Sequence, residues 1–276
     1  MPELPEVENT IRGIKSIIGK RLNKLIINNY NMRWKISTKL PNILQNQIVL
    51  NCQRRGKIIL IYFQNGIQLI HLGMSGMLYR SDISSNKKKH DHVEWLFDNE
   101  IIRLNDPRRF GYVLWHSNDS GSIELHPRIK NLGIEPFSNK LNAEYLYKIF
   151  QKKNTEIKQA IMNSNIIVGI GNIYASEILF NAQINPFKLV KELSLKECSR
   201  LIFNIKKILN IAINSGGSSI KNYKNMEGVN GSFIYKYAMV YNLEGKNCKI
   251  CNSLIIKKTQ KQRSTYLCPS CQKFNI

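Results

Sequence analysis

The chain is short of acidic residues, of cysteines and of long apolar runs, and each shortage narrows what it can be. No segment approaches the roughly 20 consecutive apolar residues of a membrane-spanning helix, so no span is expected. The opening stretch MPELPEVENT is acidic and has no apolar core, which excludes a secretory signal and leads us to expect a cytoplasmic protein. Asp and Glu number 19 against 41 Lys and Arg, a formal charge of +22 over 276 residues. Such an excess repels itself unless a polyanion neutralises it, so nucleic acid is the expected partner. A genome biased toward Lys, Asn and Ile would raise the charge as well, so motifs must carry the argument. No internal repeat or low-complexity tract is present.

Of only six cysteines, Cys52 and Cys198 lie among apolar residues and read as core thiols. The other four, Cys248, Cys251, Cys268 and Cys271, form two C-x2-C pairs separated by 16 residues. Each pair places two thiolates on one turn, and the spacer suits a β-hairpin, so the spacing predicts a tetrahedral Zn²⁺ site instead of disulfides. Four protein ligands leave no open coordination position, so one structural zinc per chain is expected.

Periodicity divides the chain. KIILIYF, GIQLIHL, VEWLF, EIIRL and YVLW between Lys57 and Trp115 read as strands of a β-sandwich or barrel. A helix after Pro2 is expected to introduce them, with Val7, Ile11, Ile14 and Ile18 as its apolar stripe. Ser81 to Lys89 is polar and basic and reads as a mobile loop. Beyond Leu132 the texture is helical, over 141–150, 155–163 and 195–214, with VGIGNIYA as a glycine turn opening another helix. Ser215 to Gly231 is rich in Gly, Ser and Asn and reads as a long flexible loop.

The chemistry starts at the N-terminus. Once Met1 is removed, Pro2 presents a secondary amine whose pKa lies far below lysine's, so a useful fraction is an unprotonated nucleophile. Such an amine attacking C1′ of a deoxynucleoside displaces the base and leaves an iminium, which acidifies C2′ and permits elimination of the flanking phosphates. Glu3 stands next to it to supply the acid. On its own, a Pro-Glu pair serves as readily to start a helix. A basic and aromatic group follows: Arg54-Arg55-Gly56-Lys57, His71 and Met74 in HLGMSG, His90 in KHDH, and NDPRRFG with Arg108 and Phe110. Cations bind phosphates, while Met and Phe at loop tips wedge into a base stack; the alternative for both apolar residues is core packing. Asn172 and the N–H groups of the GIGN turn can face a phosphate. Lys257, Lys258, Lys261 and Arg263 make the cysteine hairpin basic.

These motifs, MPELPEVE, RRGK, HLGMSG, NDPRRFG, VGIGNIYASE and the four-cysteine element, occur in the order found in formamidopyrimidine-DNA glycosylases, and the chain resembles that family over nearly its whole length. The resemblance implies an α+β fold. Its parts would be an N-terminal β-sandwich catalytic domain with flanking helices (1–132), a helix-two-turn-helix DNA-binding domain with a lesion-capping loop (133–246) and a zinc-finger β-hairpin (247–276), with DNA in the cleft between domains. It also implies a monomer, without an obligate protein partner, that acts on damaged double-stranded DNA, excises 8-oxoguanine and formamidopyrimidines, and cuts the strand by β,δ-elimination.

By the same resemblance Pro2 is the Schiff-base nucleophile, Glu3 the general acid and Glu6 a supporting carboxylate. Lys57 and Arg263 belong to the catalytic set and, with His90, Lys153 and Asn172, hold a kinked DNA backbone; His71 joins the DNA-contacting residues. Met74, Arg108 and Phe110 fill the gap left by the flipped nucleotide, with Arg108 facing the orphaned cytosine, and the loop around Ser218 to Val229 caps the base. Two departures stand out: Asn252 where the family usually has glycine, and Asn222 where an acidic residue is common. Asn tolerates left-handed backbone, so the knuckle should survive. Three other readings stay open: an endonuclease VIII-like enzyme for oxidised pyrimidines, against which Leu4 and the RRF wedge argue; a non-catalytic zinc-ribbon DNA-binding protein; and a basic RNA-binding protein.

Overall fold

The computed structural model describes residues 1–218, 226 and 230–273. Two compact units emerge, one of residues 1–131 with 215–232, the other of residues 132–214 with 233–276.

In chain order the first unit contains α1 (Leu4–Ile14), β1 (Lys24–Ile27), α2 (Leu40–Leu44), β2 (Val49–Arg55), β3 (Ile58–Phe63), β4 (Gly66–His71), β5 (Met77–Ser81), β6 (Asp91–Leu96), β7 (Ile101–Asn105) and β8 (Tyr112–Ser117). The strands form two antiparallel sheets among the described residues, ordered β1-β6-β7-β5 and β2-β3-β4-β8. Trp95, Ile102 and Leu104 of the first share one buried cluster with Ile59, Ile70 and Val113 of the second, and α1 adds Val7, Ile11 and Ile14. Burying each such side chain stabilises by about 1.5–3 kcal/mol, which makes this cluster the main source of the unit's stability. The Trp95 indole donates to Gln68 Oε1 at 2.8 Å, so the largest apolar ring brings no unpaired N–H into the core.

All five expected strands are present, and three more were missed. β1 is only four residues long, β2 has a register shift between Val49 and Asn51 that breaks its alternation, and β5 is a short run ending in Arg80-Ser81. Ile18 does not continue the α1 stripe. After Ile14 the chain tightens into a 3-10 turn (Lys15–Ile17), which rotates Ile17 inward at 2% exposure and turns Ile18 out at 39%. The expectation of a mobile 81–89 loop also needs correction. Buried Arg103 donates to the Asn86 carbonyl (3.1 Å), the Ser85 carbonyl (2.6 Å) and Ser81 Oγ (3.0 Å), so the backbone is pinned from beneath.

The second unit contains α3 (Ala143–Phe150), α4 (Ile157–Ile161), α5 (Asn172–Asn181), α6 (Leu195–Asn214), α7 (Phe233–Tyr237) and the hairpin β9 (Ile256–Gln260) with β10 (Arg263–Leu267). Asn142 caps α3 by accepting from the Tyr145 N–H at 2.8 Å. The stripe Cys198, Leu201, Ile202, Ile205, Ile208, Leu209 and Ala212 is buried along α6, as the periodicity requires. The mixed architecture is the expected α+β class. No helix of the described residues is long and apolar enough to cross a membrane. Within the expected flexible loop at 215–231 and its base-capping role, residues 219–225 and 227–229, Asn222 included, lie outside the described residues.

Candidate active site and metal centre

The reacting end is built by the start of α1. Pro2 is buried behind an exposed Met1. Glu3, 2% exposed, is the N-cap of α1, its side chain accepting from the Glu6 N–H while Glu6 Oε2 accepts from the Glu3 N–H at 2.7 Å. This reciprocal box satisfies two N–H groups that a helix start leaves open and fixes the residue beside Pro2. The other oxygen of Glu6 accepts from Ser218, from its N–H at 2.7 Å and its hydroxyl at 3.0 Å. Gly217 is needed for that approach, since a Cβ there would lie 2.7 Å from Glu6 Oε1 at a backbone φ of +86°. Glu6 therefore joins the N-terminus to residues more than 200 positions away, a link with no local sequence signal.

Lys57 lies in the tight turn between β2 and β3, after left-handed Gly56 (φ 59°). Arg54 secures this turn: its Nε donates to Glu8 Oε2 of α1 at 3.0 Å and its Nη1 to the Gly56 carbonyl at 3.0 Å. From the sequence Arg54 reads only as a cation. The half-buried pairing with Glu8 assigns it to holding Lys57's turn.

Met74, Arg108 and Phe110 are exposed, the two apolar residues at 45% and 41%, so core packing does not account for them. Their two loops are organised by one buried carboxylate, Asp106, which accepts from Ser75 Oγ (2.6 Å) and from the Gly111 N–H (2.8 Å). Ser75 Oγ in turn accepts from the Arg108 N–H at 3.2 Å, and the Arg108 guanidinium sits 4.6 Å over the Phe110 ring. At Gly73 the loops touch backbone to backbone; a Cβ there would lie 2.4 Å from the Phe110 carbonyl carbon.

His71 stacks on Tyr112 with ring centroids 5.2 Å apart, and its Nδ1 accepts from the Gly73 N–H at 2.9 Å. Burial, with Lys57 and Arg33 nearby, pushes its pKa down to about 4. The ring is neutral at pH 7, and it shapes the Met74 loop as an acceptor. His90 has left-handed backbone (φ 76°), and the Asp106 N–H donates to its carbonyl at 3.1 Å.

In the second unit Lys153 is exposed beyond α3, and Arg263 is exposed at the first position of β10. The two-residue turn before it, Lys261-Gln262, has φ of 44° and 62°, the primed geometry that matches strand twist. Asn172 opens α5, and its Nδ2 donates to the Ser264 carbonyl at 3.0 Å. Buried Lys158 donates to the same carbonyl at 2.9 Å and to Thr265 Oγ1 at 2.8 Å. The sequence pointed Asn172 at a phosphate; here its amide also ties α5 to the Arg263 hairpin. Glu177 of α5, fully buried, accepts from the N–H groups of Met239 (2.9 Å), Val240 (3.0 Å) and Tyr241 (2.7 Å). Lys158 and Glu177 escaped the sequence reading because a single charged residue in a helix looks like surface until its burial is known.

The four sulfurs of Cys248, Cys251, Cys268 and Cys271 lie within 4.8 Å of one another, with Cys248–Cys271 at 3.9 Å and Cys251–Cys268 at 3.3 Å. A tetrahedral metal with bonds of about 2.3 Å requires sulfur separations near 3.8 Å, so this set fits one ion. Asn252 has φ 61°, the left-handed conformation expected where the family has glycine, and its N–H donates to the Cys248 carbonyl at 2.9 Å. Cys52 and Cys198 are buried, and burial raises both thiol pKa values, the first to about 12.

Comparison with known proteins also divides the chain near residue 132. The sequence model of the formamidopyrimidine-DNA glycosylase N-terminal domain matches residues 1–113, and that of the family's H2TH domain matches residues 132–224. Among curated relatives, the formamidopyrimidine-DNA glycosylase of Bordetella pertussis is 45% identical over 274 residues, covering 99% of this chain and 100% of its own. That of Neisseria meningitidis is 41% identical over 279 residues, with the same coverage. The Lactococcus lactis Fpg bound to abasic-site DNA superposes with a TM-score of 0.89 at 28% identity, over 99% of this chain and 100% of that one. A Lactococcus lactis variant bound to Fapy-dG DNA gives 0.90 with the same identity and coverage. Sandwich, H2TH helices and cysteine hairpin together define the class of H2TH DNA glycosylases. Within that class, the chain belongs to the formamidopyrimidine-DNA glycosylase family, whose members combine glycosylase and abasic-site lyase activity.

Proposed function

We propose that this chain excises oxidised purines, 8-oxoguanine and formamidopyrimidines, from double-stranded DNA through a Schiff base at Pro2, and then cuts the strand by β,δ-elimination. The observation that carries the reading is the Pro2-Glu3 pair at the capped start of α1, with Glu3 buried and its backbone held by Glu6.

In this reading the freed Pro2 nitrogen attacks C1′, the bond from C1′ to the base breaks, and the base leaves with a proton. Glu3 supplies acid to O4′ of the deoxyribose ring, the C1′–O4′ bond opens, and the Pro2 nitrogen, having lost its proton, forms the iminium with C1′. The iminium then acidifies C2′, and its deprotonation expels the 3′ phosphate and, in a second elimination, the 5′ phosphate. Lys57, His90, Lys153, Asn172 and Arg263 hold the DNA backbone, and His71 contacts DNA beside the Met74 loop that it shapes. Met74, Phe110 and Arg108 fill the space of the extruded nucleotide and offset an unstacking cost of a few kcal/mol. Arg108 faces the orphaned base, where its paired donors suit the O2 and N3 acceptors of cytosine. One Zn²⁺ bound by the four cysteines would hold the Arg263 hairpin; its role is structural because four thiolates leave no open position.

The experiment is borohydride trapping on an 8-oxoguanine duplex. The expected result is a covalent adduct mapped to Pro2, and none when Met1 is retained, because an amide nitrogen forms no iminium. An adduct on an internal lysine, or full activity with Met1 attached, would overturn the mechanism. A preference for oxidised pyrimidines would overturn the substrate assignment.

A further inference from the structure

The run Lys87-Lys88-Lys89, just before His90, has no part in the reaction set out above, yet the fold invests buried groups in displaying it. All three lysines are exposed. Four side-chain bonds fix the backbone that carries them: Arg103 to the Ser85 carbonyl (2.6 Å) and to the Asn86 carbonyl (3.1 Å), the Lys88 N–H to Asp91 Oδ2 (2.6 Å), and Asn105 Nδ2 to the Lys89 carbonyl (2.9 Å). Beneath them Arg103 is paired with Glu94 at 2.8 Å, both side chains under 10% exposed, and Asn28 donates to the same carboxylate at 2.7 Å. Lys87 Nζ then donates to Asn28 Oδ1 at 3.1 Å, which closes a ring of bonds from the buried ion pair out to the lysine.

A solvated basic loop needs none of this. Buried ion pairs contribute little net stability; what this one does is hold the Arg103 guanidinium against the Ser85 and Asn86 carbonyls, which fixes one backbone conformation. The conformation is strained at its end, where His90 takes φ 76°. The ammonium groups stay available. Lys87 has two further N–H donors after Asn28, Lys88 lies 4.6 Å over the Tyr79 ring and keeps the N–H donors that face away from it, and none of the three lysines forms an ion pair among the described residues.

We infer that residues 87–90 form a preorganised strip that contacts consecutive phosphates of duplex DNA, extending the backbone grip of His90. This rests on the DNA glycosylase reading and adds to it. Phosphates repeat regularly along a strand, so a fixed row of cations neutralises several at once without ordering a loop on binding. The strip therefore contributes affinity and salt dependence and carries no information about the lesion.

The test measures equilibrium binding to a duplex with an uncleavable tetrahydrofuran abasic analogue, and to its undamaged counterpart, across a salt series. The triple variant Lys87→Gln, Lys88→Gln, Lys89→Gln changes only exposed side chains. Its log K against log salt should be shallower than wild type by about 2 to 3, near 0.9 per lost phosphate contact. Affinity for both duplexes should fall by the same factor, at least tenfold at low salt. An unchanged slope, or a loss confined to the abasic duplex, would overturn the strip. A wild type that binds both duplexes equally, with a slope that still falls in the variant, would keep the strip and sink the glycosylase reading.

Discussion

The Met74 and Phe110 loops of the first unit and the cysteine hairpin of the second both present a few side chains at the tip of a tight turn, but different forces hold them. In the first, one buried carboxylate and a backbone contact at Gly73 bind two loops that are far apart in sequence. In the second, four sulfurs, with Lys158 and Asn172 at the root, hold a local hairpin. The first can be loosened in steps; the second offers one four-sulfur site, so an ion held there would be shared by all four ligands.

The sharpest way to break the comparison is at the sulfurs. Structural zinc contributes about 10–16 kcal/mol of apparent binding energy in small zinc-finger peptides, and without it the hairpin would rest on the small apolar cluster of Phe180, Val240, Ile255 and Tyr266. Cys268→Ser is expected to release the metal and to lower strand cutting at least a hundredfold, by disordering the Arg263 turn. Metal analysis and single-turnover cleavage check it. A variant that keeps one equivalent of zinc and wild-type cutting would show that the hairpin holds itself.

The corresponding change in the first unit is Gly73→Ala. Its Cβ would meet the backbone of Phe110 at 2.4 Å and of Gly111 at 2.5 Å, with φ at +62°, so neither rotamer change nor side-chain movement relieves the clash. Overpacking and strain together should cost about 3 kcal/mol. Thermal unfolding should shift downward while zinc content stays at one per chain. Loss of zinc along with stability would mean that the two regions are not independent.

The same contrast governs what could be read in advance. C-x2-C spacing, the α6 stripe and the long strands are local, and each is legible in the sequence. Asp106 stood in plain view inside NDPRRFG, but its task depends on Ser75 and Gly111 arriving from two loops. The Glu6 to Ser218 bond, the Arg103 support under residues 85–89 and the buried Lys158 and Glu177 are likewise tertiary. Ile18 failed because the helix changed its winding one turn before the stripe ended. Candidate residue types were therefore legible, while the groups that position them were not.

His71 offers a reversible way to loosen the first region, read against a variant that lacks its titration. Its folded pKa of about 4 lies below the free value of 6.5, so between these limits the unfolded chain binds more protons than the folded one. The contribution of His71 to stability should be constant above pH 6.5, fall as pH drops toward 4, and level off below. The full shift would be worth about 3 kcal/mol; with solvent screening about 2 is expected. His71→Phe keeps the stack on Tyr112 and removes the titration, so the difference in unfolding free energy between the two proteins should change with pH over this window. A difference that stays constant with pH would mean that His71 does not hold the Gly73 loop as a neutral acceptor.

The smallest effect is expected at Asn252, the hairpin's counterpart of Gly73. Both have positive φ, 61° and 62°, but for Gly73 a backbone wall forbids a side chain, whereas Asn252 carries one whose Oδ1 accepts from Asn247 Nδ2 at 3.0 Å on the surface. Asn252→Gly removes that exposed hydrogen bond, worth about 0.5–1.5 kcal/mol, and relieves a comparable left-handed cost, so the two nearly cancel. Asn252→Val loses the bond and adds a β-branched side chain where left-handed backbone is strained, a cost of about 1–3 kcal/mol. Zinc affinity measured by competition with a chelator should be within about threefold of wild type for glycine and fall at least fivefold for valine. If glycine weakens zinc binding as much as valine, the Asn252 side chain holds the knuckle itself, and its departure from the family's glycine is a gained contact instead of a tolerated one.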